Sequence, residues 1–158
     1  MELYLMRHGI AAEPFEWKGD DASRPLTDEG WEKTRRVLEA IQKKQHFKPK
    51  EIWSSPLVRA QQTAQIAAEV LKLKVKNCDA LACGASVSGL QEFFKKHKLG
   101  GAALWVGHEP DMGEMYADLS GLRSSDPFKK ASIALLKGEF KPGKMKAEYK
   151  LAPAELLD

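Results

Sequence analysis

Short apolar segments of strand length alternate along this chain with longer segments whose apolar residues recur at helical spacing. Residues 2–6 and 102–106 are nearly continuous apolar runs, and polar residues follow each of them directly. Such runs are typical of strands that are buried on both faces of a sheet. Strands that alternate with helices indicate βαβ units, in which helices cover both faces of a mostly parallel sheet. We therefore predict an α/β fold, a three-layer α/β/α sandwich.

Six strands and four helices are predicted from these segments. The predicted strands lie at residues 2–6, 51–54, 75–81, 102–106, 132–137 and 147–151. No helix-length segment separates the last two strands, so we expect them to pair antiparallel at one side of the sheet. A short fourth helix is predicted at residues 110–119.

Each of the first three helices has a recognisable start. Thr27 is placed to cap the first helix, whose first turn carries two acidic residues that suit the positive end of the helix dipole. Ser55 and Pro56 are the predicted cap and first residue of the second helix. Ser88, with Gln91 three residues later, resembles a capping box for the third helix. These signals set the expected starts of the three helices.

Length and composition exclude several classes of protein. The 158 residues suit one compact domain, which we expect to span residues 1–158, and the net charge of +3 is too small to indicate a nucleic-acid partner. No apolar run approaches the roughly 20 residues that a membrane-spanning helix needs, and the N-terminus does not read as a secretory signal. We therefore expect a cytoplasmic protein that binds neither nucleic acid nor membrane. Cys78 and Cys83 match no zinc spacing and are expected to be buried structural thiols.

A polar cluster directly follows three of the predicted strands. Arg7 and His8 follow the first strand, Arg59 lies just beyond the second, and His108 follows the fourth. In an open parallel sheet the carboxyl ends of the strands lie on one edge, and ligands bind there. The fold therefore predicts that two histidines and two arginines share one cleft, although His8 and His108 are far apart in the sequence.

These four residue types together suit phosphoryl transfer. The guanidinium fork of arginine matches phosphate, and positive neighbours keep a histidine neutral and therefore nucleophilic. A second histidine supplies a donor to the phosphoryl oxygens, and two helix N-termini predicted nearby, after Ser55 and Glu109, favour anions. The combination predicts transfer through a phosphohistidine, with no metal and no cofactor.

Taken singly, each of these residues has a structural interpretation. A histidine after a strand is more often structural than catalytic, and Arg59 on a helix is usually a surface ion pair. The two histidines could also bind a metal, but two arginines would repel the cation. The convergence of all four residues on one sheet edge favours catalysis over these alternatives.

Four sequence elements resemble, in order, those of the histidine phosphatase superfamily, which has the phosphoglycerate-mutase-like fold. They are residues 7–9, similar to R-H-G; residues 24–30, similar to R-P-L-T-x-x-G; residues 54–64, similar to S-S-P-x-x-R-A-x-x-T-A; and residues 107–110, similar to G-H-x-P. The R-H-G element alone is weak evidence, but the four in order cover nearly the whole chain. Its short length is most similar to that of the SixA-type phosphohistidine phosphatases.

The resemblance implies a role for each matching residue. His8 is implied as the nucleophile that becomes phosphorylated, and His108 as the second catalytic histidine. Arg7 and Arg59 are implied as clamps on the phosphate. Three further residues are implied as substrate-binding: Arg24, Ser54 and Gly9.

The sequence departs from the family pattern at the general acid. Many members have a glutamate after the third strand, where residues 77–84 offer only Asp79; Glu109, in the variable position of the G-H-x-P element, is the other candidate. A structural role for Asp79, as a strand-end cap or ion pair, is an equal alternative. Loss of general acid catalysis costs about 10²–10⁴-fold. Phosphohistidine tolerates this loss better than an ester, since its leaving group is neutral when the ring carries a second proton.

The resemblance therefore implies hydrolysis of phosphohistidine on a protein, for instance a histidine phosphotransfer domain of a bacterial signalling relay. A phosphomonoesterase acting on small phosphoesters, with Asp79 or Glu109 as acid, is the alternative within the same fold. A mutase is disfavoured because it must exclude water from the phosphoenzyme, and this short chain offers no evident lid. A catalytically silent module that binds phosphoproteins is a third interpretation, disfavoured by the presence of all four core residues.

Overall fold

The computed structural model describes residues 1–157 and contains one six-stranded sheet. Its strands are β1 (Glu2–Arg7), β2 (Glu51–Ser54), β3 (Val75–Asn77), β4 (Ala102–Gly107), β5 (Ile133–Gly138) and β6 (Met145–Leu151). Their order is β3-β2-β4-β1-β5-β6, and the first four run parallel. β5 pairs antiparallel with both β1 and β6, which confirms the antiparallel pair predicted at one side of the sheet.

Five α-helices connect or follow these strands. They are α1 (Asp28–Lys44), α2 (Val58–Leu71), α3 (Val87–Lys96), α4 (Asp111–Ser120) and α5 (Pro153–Leu156). Two short 3₁₀ turns, Asp21–Ser23 and Asp79–Leu81, interrupt the loops. Over residues 1–157, no helix has the length and apolar character needed to cross a bilayer.

The sheet separates two apolar layers, and successive residues of one strand contribute to opposite layers. Tyr4 and Met6 of β1 pack into the layer that carries the buried faces of α1, α2 and α5. Leu3 and Leu5 pack into the layer that carries α3 and α4. Because side chains alternate across a strand, a continuous apolar run fills both layers at once. The predicted three-layer sandwich is confirmed.

The second helix begins later than predicted. Ser55 and Pro56 precede α2, and Leu57 at the helix boundary has an extended backbone with no side-chain cap. The Ser55 N–H donates to the Val106 carbonyl at 3.0 Å, so the chain is still attached to β4 at the position predicted for the cap. The N-terminus of α2 therefore lies two residues farther along the chain.

Two smaller predictions are corrected, and one short helix was missed. The predicted third strand ends at Asn77, because the chain turns after the Cys78 N–H donates to the Ser54 carbonyl at 2.9 Å. The cap of α3 is Ser86 rather than Ser88, and its hydroxyl accepts from the Gly89 N–H at 3.1 Å. The four-residue helix α5 was not predicted, since a single turn is too short to show helical periodicity.

Candidate active site

The carboxyl ends of β1, β2 and β4 meet at a cavity of about 260 Å³. All four residues that the strand-end argument predicted to converge line it: Arg7, His8, Arg59 and His108. The ring centroids of His8 and His108 lie 5.3 Å apart. Arg24 also lines this cavity, which we call the catalytic cavity.

His8 is held in one tautomer by its neighbour. Its Nδ1 lies 2.7 Å from the Gly9 carbonyl oxygen, which can only accept a hydrogen bond, so Nδ1 carries the proton. A neutral imidazole protonated at Nδ1 keeps its lone pair on Nε2. The nucleophilic atom available in this arrangement is therefore Nε2.

Gly9 contributes through its backbone and its lack of a side chain. Its N–H donates to the Thr63 hydroxyl at 3.0 Å, and Thr63 in turn donates to the Arg59 carbonyl at 2.8 Å. A Cβ at position 9 would overlap the Thr34 hydroxyl. Only glycine allows α1 to pack this closely against the chain beside His8.

Both site histidines are buried, and burial is the main reason why their pKa values fall. Desolvation, aided by the charges of Arg59 and Arg7, lowers the pKa of His8 to about 3. The same causes lower the pKa of His108 to about 4. Both imidazoles are therefore neutral at pH 7.

His108 is oriented by a serine that the sequence analysis treated only as a helix cap. The Ser55 hydroxyl lies 2.8 Å from His108 Nε2 and also accepts from the Leu57 N–H at 3.2 Å. The other ring nitrogen, Nδ1, is buried and has no hydrogen-bond partner within residues 1–157. This leaves His108 Nδ1 available to a ligand in the catalytic cavity.

The two arginines are anchored by part of their hydrogen-bonding capacity. Arg7 Nη1 donates to the Phe128 carbonyl at 2.8 Å, and Arg59 donates to the carbonyl of Asp21 at 2.8 Å and to its carboxylate at 3.1 Å. Nε of each guanidinium is buried without a partner in the described part of the chain. Buried donors on charged groups are costly unless satisfied, and a phosphoryl oxygen is a matching acceptor.

Asp21 is a site residue that the sequence analysis missed. Its carboxylate contacts Arg59 and also Arg24 Nε at 3.1 Å, and Arg24 Nη1 donates to the Ala12 carbonyl at 2.7 Å. Desolvation acts against the charge, but the hydrogen bonds from Arg24 and Arg59 lower the pKa of Asp21 below its ordinary value. An exposed carboxylate thus orders two arginines of the cavity. Only the proximity of an acid to Arg24 in the sequence hinted at this.

Besides Gly9, which acts through its backbone, two predicted site residues are not part of the lining of the catalytic cavity. Ser54 is buried, and its hydroxyl donates to the Ser55 carbonyl at 2.9 Å. Asp79 begins a 3₁₀ turn and is not part of the cavity lining. Side chains alternate at the end of β2, so Ser55 rather than Ser54 reaches His108.

Glu109, the other candidate acid, lines the cavity but is partly committed elsewhere. Its Oε1 accepts from the Gly113 N–H at 2.8 Å and so satisfies the N-terminus of α4, which was expected to face an anion. Burial lowers the pKa of Arg7, and the negative charge of Glu109 acts in the opposite direction. A second carboxylate, Glu13, is exposed at the rim of the cavity and was not predicted.

The two cysteines differ in exposure, and the described residues contain no cluster that could hold a metal ion. Cys78 is buried as expected, whereas Cys83 is exposed and lines the catalytic cavity. Leu81 of the 3₁₀ turn is buried in the apolar layer, and Cys83 follows it on the exposed loop. Among residues 1–157 there is no group of three or more histidine, cysteine, aspartate or glutamate side chains placed to hold a metal ion.

The chain is similar in sequence to known proteins. The model of the histidine phosphatase superfamily (branch 1) matches residues 3–122. An uncharacterised protein of Picosynechococcus sp. is 38% identical over 118 residues, which cover 72% of this chain and 70% of that protein.

Solved structures share the whole fold at lower sequence identity. The protein histidine phosphatase SixA complexed with tungstate has a TM-score of 0.84 at 23% identity, with 99% of both chains covered. A mycobacterial glucosyl-3-phosphoglycerate phosphatase has a TM-score of 0.72 at 18% identity, covering 96% of this chain and 99% of that one. A mutant phosphoserine phosphatase from Entamoeba histolytica, bound to phosphoserine, has a TM-score of 0.71 at 16% identity and 99% coverage of both chains.

Proposed function

The chain belongs to the histidine phosphatase superfamily, and we propose that within it this protein hydrolyses phosphohistidine on another protein through a covalent phospho-His8 intermediate. Membership of the superfamily implies a phosphohydrolase. The choice of phosphohistidine, the residue roles and the extent of the domain, residues 1–158, are part of the proposal. A cytoplasmic location remains a prediction.

The observation that carries the proposal is a neutral nucleophile beside unsatisfied cationic donors. His8 presents an unprotonated Nε2 to the cavity, because its Nδ1 proton is engaged by the Gly9 carbonyl. Arg7 and Arg59 each present a buried Nε–H without a partner in residues 1–157. A tetrahedral oxyanion satisfies these donors and places its phosphorus next to the nucleophile.

In the first step, His8 Nε2 attacks phosphorus in line with the P–N bond of the substrate phosphohistidine. The P–Nε2 bond forms as the substrate P–N bond breaks, and its electron pair returns to the leaving imidazole. The two arginines and His108 hold the phosphoryl oxygens, where negative charge is concentrated in the transition state.

In the second step, water attacks the phosphorus of phospho-His8. The P–Nε2 bond breaks, its electron pair returns to the ring, and inorganic phosphate leaves with the oxygen of the water. The low pKa of His8, about 3, favours return of the ring to the neutral form that begins the next cycle.

The acids near the cavity favour phosphohistidine over phosphate esters. An ester leaving group departs as an alkoxide and needs a proton, whereas a phosphohistidine ring that is protonated at its other nitrogen leaves as neutral imidazole. Asp79 does not line the cavity, and one oxygen of Glu109 is committed to the Gly113 N–H. Both features weaken proton donation to the leaving group. Cleavage of a phosphoramidate depends less on this proton than cleavage of an ester does.

The rim of the cavity favours a protein substrate. Phe15 is 82% exposed and directly follows Glu13 and Pro14, which line the cavity. An aromatic side chain this exposed supplies apolar contact area to a partner surface. A small phosphoester bound at His8 gains little from a residue outside the cavity.

A phosphomonoesterase acting on small molecules is the second candidate. The observation that favours it is the presence of Glu109 in the cavity lining, where its second oxygen is not committed to Gly113. Glu109→Gln separates the two candidates, because only an ester requires a proton from this carboxyl group. If the protein is a phosphomonoesterase, Glu109→Gln should lower the rate of alkyl phosphate hydrolysis by about 10²-fold or more. If it is a phosphohistidine phosphatase, the same change should have a small effect on the rate of phosphohistidine hydrolysis.

The test compares three substrates on the purified protein with a chelator present. They are a phosphohistidine-bearing protein, an aryl phosphate and an alkyl phosphate. We expect rapid loss of phosphohistidine with little ester hydrolysis, and Phe15→Ala should lower kcat/KM on the protein substrate alone. Leu122→Ala, which alters the other exposed large apolar side chain, is the matched control. Equal rates on the alkyl phosphate would support the phosphomonoesterase, and binding without turnover would support a silent module.

A further inference from the structure

A second cavity of about 480 Å³ lies beside the catalytic cavity, between the start of α1, the turn before β5 and the start of α5. Arg7 and Lys130 line both cavities, so the two are contiguous. We call this one the lysine cavity. Its volume falls in the range typical of ligand sites and exceeds that of a single phosphate group.

The lysine cavity is strongly cationic. Lys33, Lys129 and Lys130 line it together with Arg7, against one carboxylate, Glu29. None of the three lysines is within 4.0 Å of a carboxylate oxygen in residues 1–157. Elsewhere on the surface, lysines do find acidic partners, as between Lys95 and Glu92 at 3.0 Å. The charge in this cavity is therefore left for an external anion.

The backbone beside Lys129 and Lys130 is fixed by hydrogen bonds, one of them to the chain at His8. The Ala131 N–H donates to the His8 carbonyl at 3.0 Å, and the Ser132 N–H closes a turn onto the Lys129 carbonyl at 2.9 Å. Ala131 is held at φ 63°, a left-handed conformation that a residue with a Cβ seldom adopts. The two hydrogen bonds hold this strained turn next to His8, with Lys129 beside the lysine cavity and Lys130 beside both cavities.

Two buried polar atoms lie beside the lysine cavity. Thr34 lines it and is fully buried, and its hydroxyl, which lies against Gly9, has no hydrogen-bond partner within residues 1–157. Arg7 Nε is also buried without a partner in that range, and it is the donor already assigned to the phosphoryl group at His8. The case for a ligand in the lysine cavity therefore rests on its lysines and its volume.

We propose that the lysine cavity is a second anion site, which binds a carboxylate or phosphate group next to the phosphoryl group held at His8. Such an anion has two sources: an acidic side chain that flanks the phosphohistidine of the substrate protein, or free inorganic phosphate. The first source rests on the function proposed above, and the second does not.

The first arm of the test uses inorganic phosphate and needs no turnover. Phosphate is titrated into the labelled protein, and the backbone amide signals of Thr34 and Ala154 are followed by NMR. We expect these signals to shift in the wild type and not in Lys33→Gln/Lys129→Gln, which alters lysines that line the lysine cavity and not the catalytic cavity. Lys95→Gln/Lys96→Gln, on the opposite face of the sheet, removes the same charge and should behave as the wild type.

The second arm uses two phosphohistidine peptides that differ only in flanking residues, glutamate in one and glutamine in the other. We expect the wild type to prefer the glutamate peptide by about threefold to tenfold in kcat/KM at low salt. The preference should vanish in the Lys33→Gln/Lys129→Gln protein and at 1 M salt, where screening reaches about 3 Å. The rate on the glutamine peptide should stay the same.

Each combination of results identifies the ligand, tests the proposed function or overturns the second anion site. A lysine-dependent preference for the glutamate peptide identifies an acidic flank as the ligand. Phosphate-induced shifts without that preference identify free phosphate. If neither peptide is hydrolysed, the proposed function fails and the phosphate titration alone decides the site. Absence of lysine-dependent shifts, together with absence of lysine-dependent preference, overturns the second anion site.

Discussion

Histidines at the two opposite edges of the sheet have contrasting surroundings. At the carboxyl edge, His8 is buried beside Arg7 and Arg59, with no carboxylate bound to its ring. At the other edge, His46 is exposed, and its Nε2 contacts the carboxylate of Glu2 at 2.9 Å. That hydrogen bond is the largest reason why the pKa of Glu2 falls below its ordinary value.

The contrast shows that the pairing of charges, rather than the residue type, separates a reactive edge from a structural one. Glu2 accepts from Tyr4 at 3.1 Å and lies 3.8 Å from Lys137, so charge at that edge is neutralised within the protein. At the catalytic edge, buried donors of both arginines lack partners in residues 1–157. Buried cationic donors without a partner therefore lie at the carboxyl edge, whereas Glu2 at the other edge is paired within the protein.

Removing the nucleophile gives the sharpest contrast between the two edges. His8→Ala should lower kcat on a phosphohistidine peptide by about 10³-fold or more, because no other group can form the covalent intermediate. Phosphate binding should persist, since both arginines remain. Phosphate release and phosphate titration measure the two effects. His46→Ala is the control and should retain wild-type kcat; a His8→Ala protein with most of its activity would refute the nucleophile assignment.

Removing Arg59, whose Nε has no partner in residues 1–157, should have the next largest effect. Arg59→Ala should lower kcat by about 10²–10³-fold, the usual cost of losing a donor to transition-state oxygens. Inhibition by vanadate should weaken in parallel. Arg35→Ala is the matched control, because Arg35 pairs with Glu69 at an exposed site. Unchanged vanadate inhibition in Arg59→Ala would place Arg59 outside the phosphoryl site.

The buried histidines should also make the fold sensitive to acid. The folded pKa of His8, about 3, lies below its ordinary value of 6.5, so the unfolded chain binds more protons between these values. This contribution to the free energy of unfolding is complete above about pH 6.5 and is lost as pH falls; at pH 5 the loss is about 2 kcal/mol. Urea unfolding at pH 7.5 and pH 5 should therefore show a smaller drop for His8→Ala than for the wild type. Equal drops would contradict the low pKa.

Replacing Asp21, whose carboxylate contacts Arg24 and Arg59, should have the smallest effect. Asp21→Ala removes an ion pair with Arg59 that is exposed on the aspartate side, while a backbone carbonyl at position 21 can still accept from Arg59. We expect kcat/KM to fall by about threefold, consistent with an exposed pair worth less than about 1 kcal/mol. Glu69→Ala breaks the exposed pair with Arg35 and should change nothing. A loss above about 30-fold would instead assign Asp21 a direct part in the reaction.

The sequence predicted the architecture and the meeting of the four site residues for the same physical reason. Apolar runs identify parallel strands, and parallel strands place whatever follows them on one edge, so His8 and His108 meet without any local signal. The boundaries were less predictable where tertiary contacts override local preference. Ser55 is a good helix cap by type, yet its N–H binds the Val106 carbonyl and its hydroxyl contacts His108.

The remaining errors at the site come from loop conformations, which no periodic pattern encodes. Asp21 reaches Arg59 only because the loop before α1 folds over the cavity in a 3₁₀ turn. Asp79 follows β3 as expected, but its own 3₁₀ turn leaves it outside the cavity lining. Ser54 and Ser55 differ by one position at a strand end, where one step reverses the direction of the side chain.

Trapping the intermediate tests the central claim most directly. The protein is mixed with a ³²P-labelled phosphohistidine peptide, quenched within milliseconds in alkali, digested and mapped. We expect the label at Nε2 of His8. The labelled intermediate should form and decay at least as fast as steady-state turnover. Label on His108 instead, or full turnover with no labelled enzyme, would contradict it.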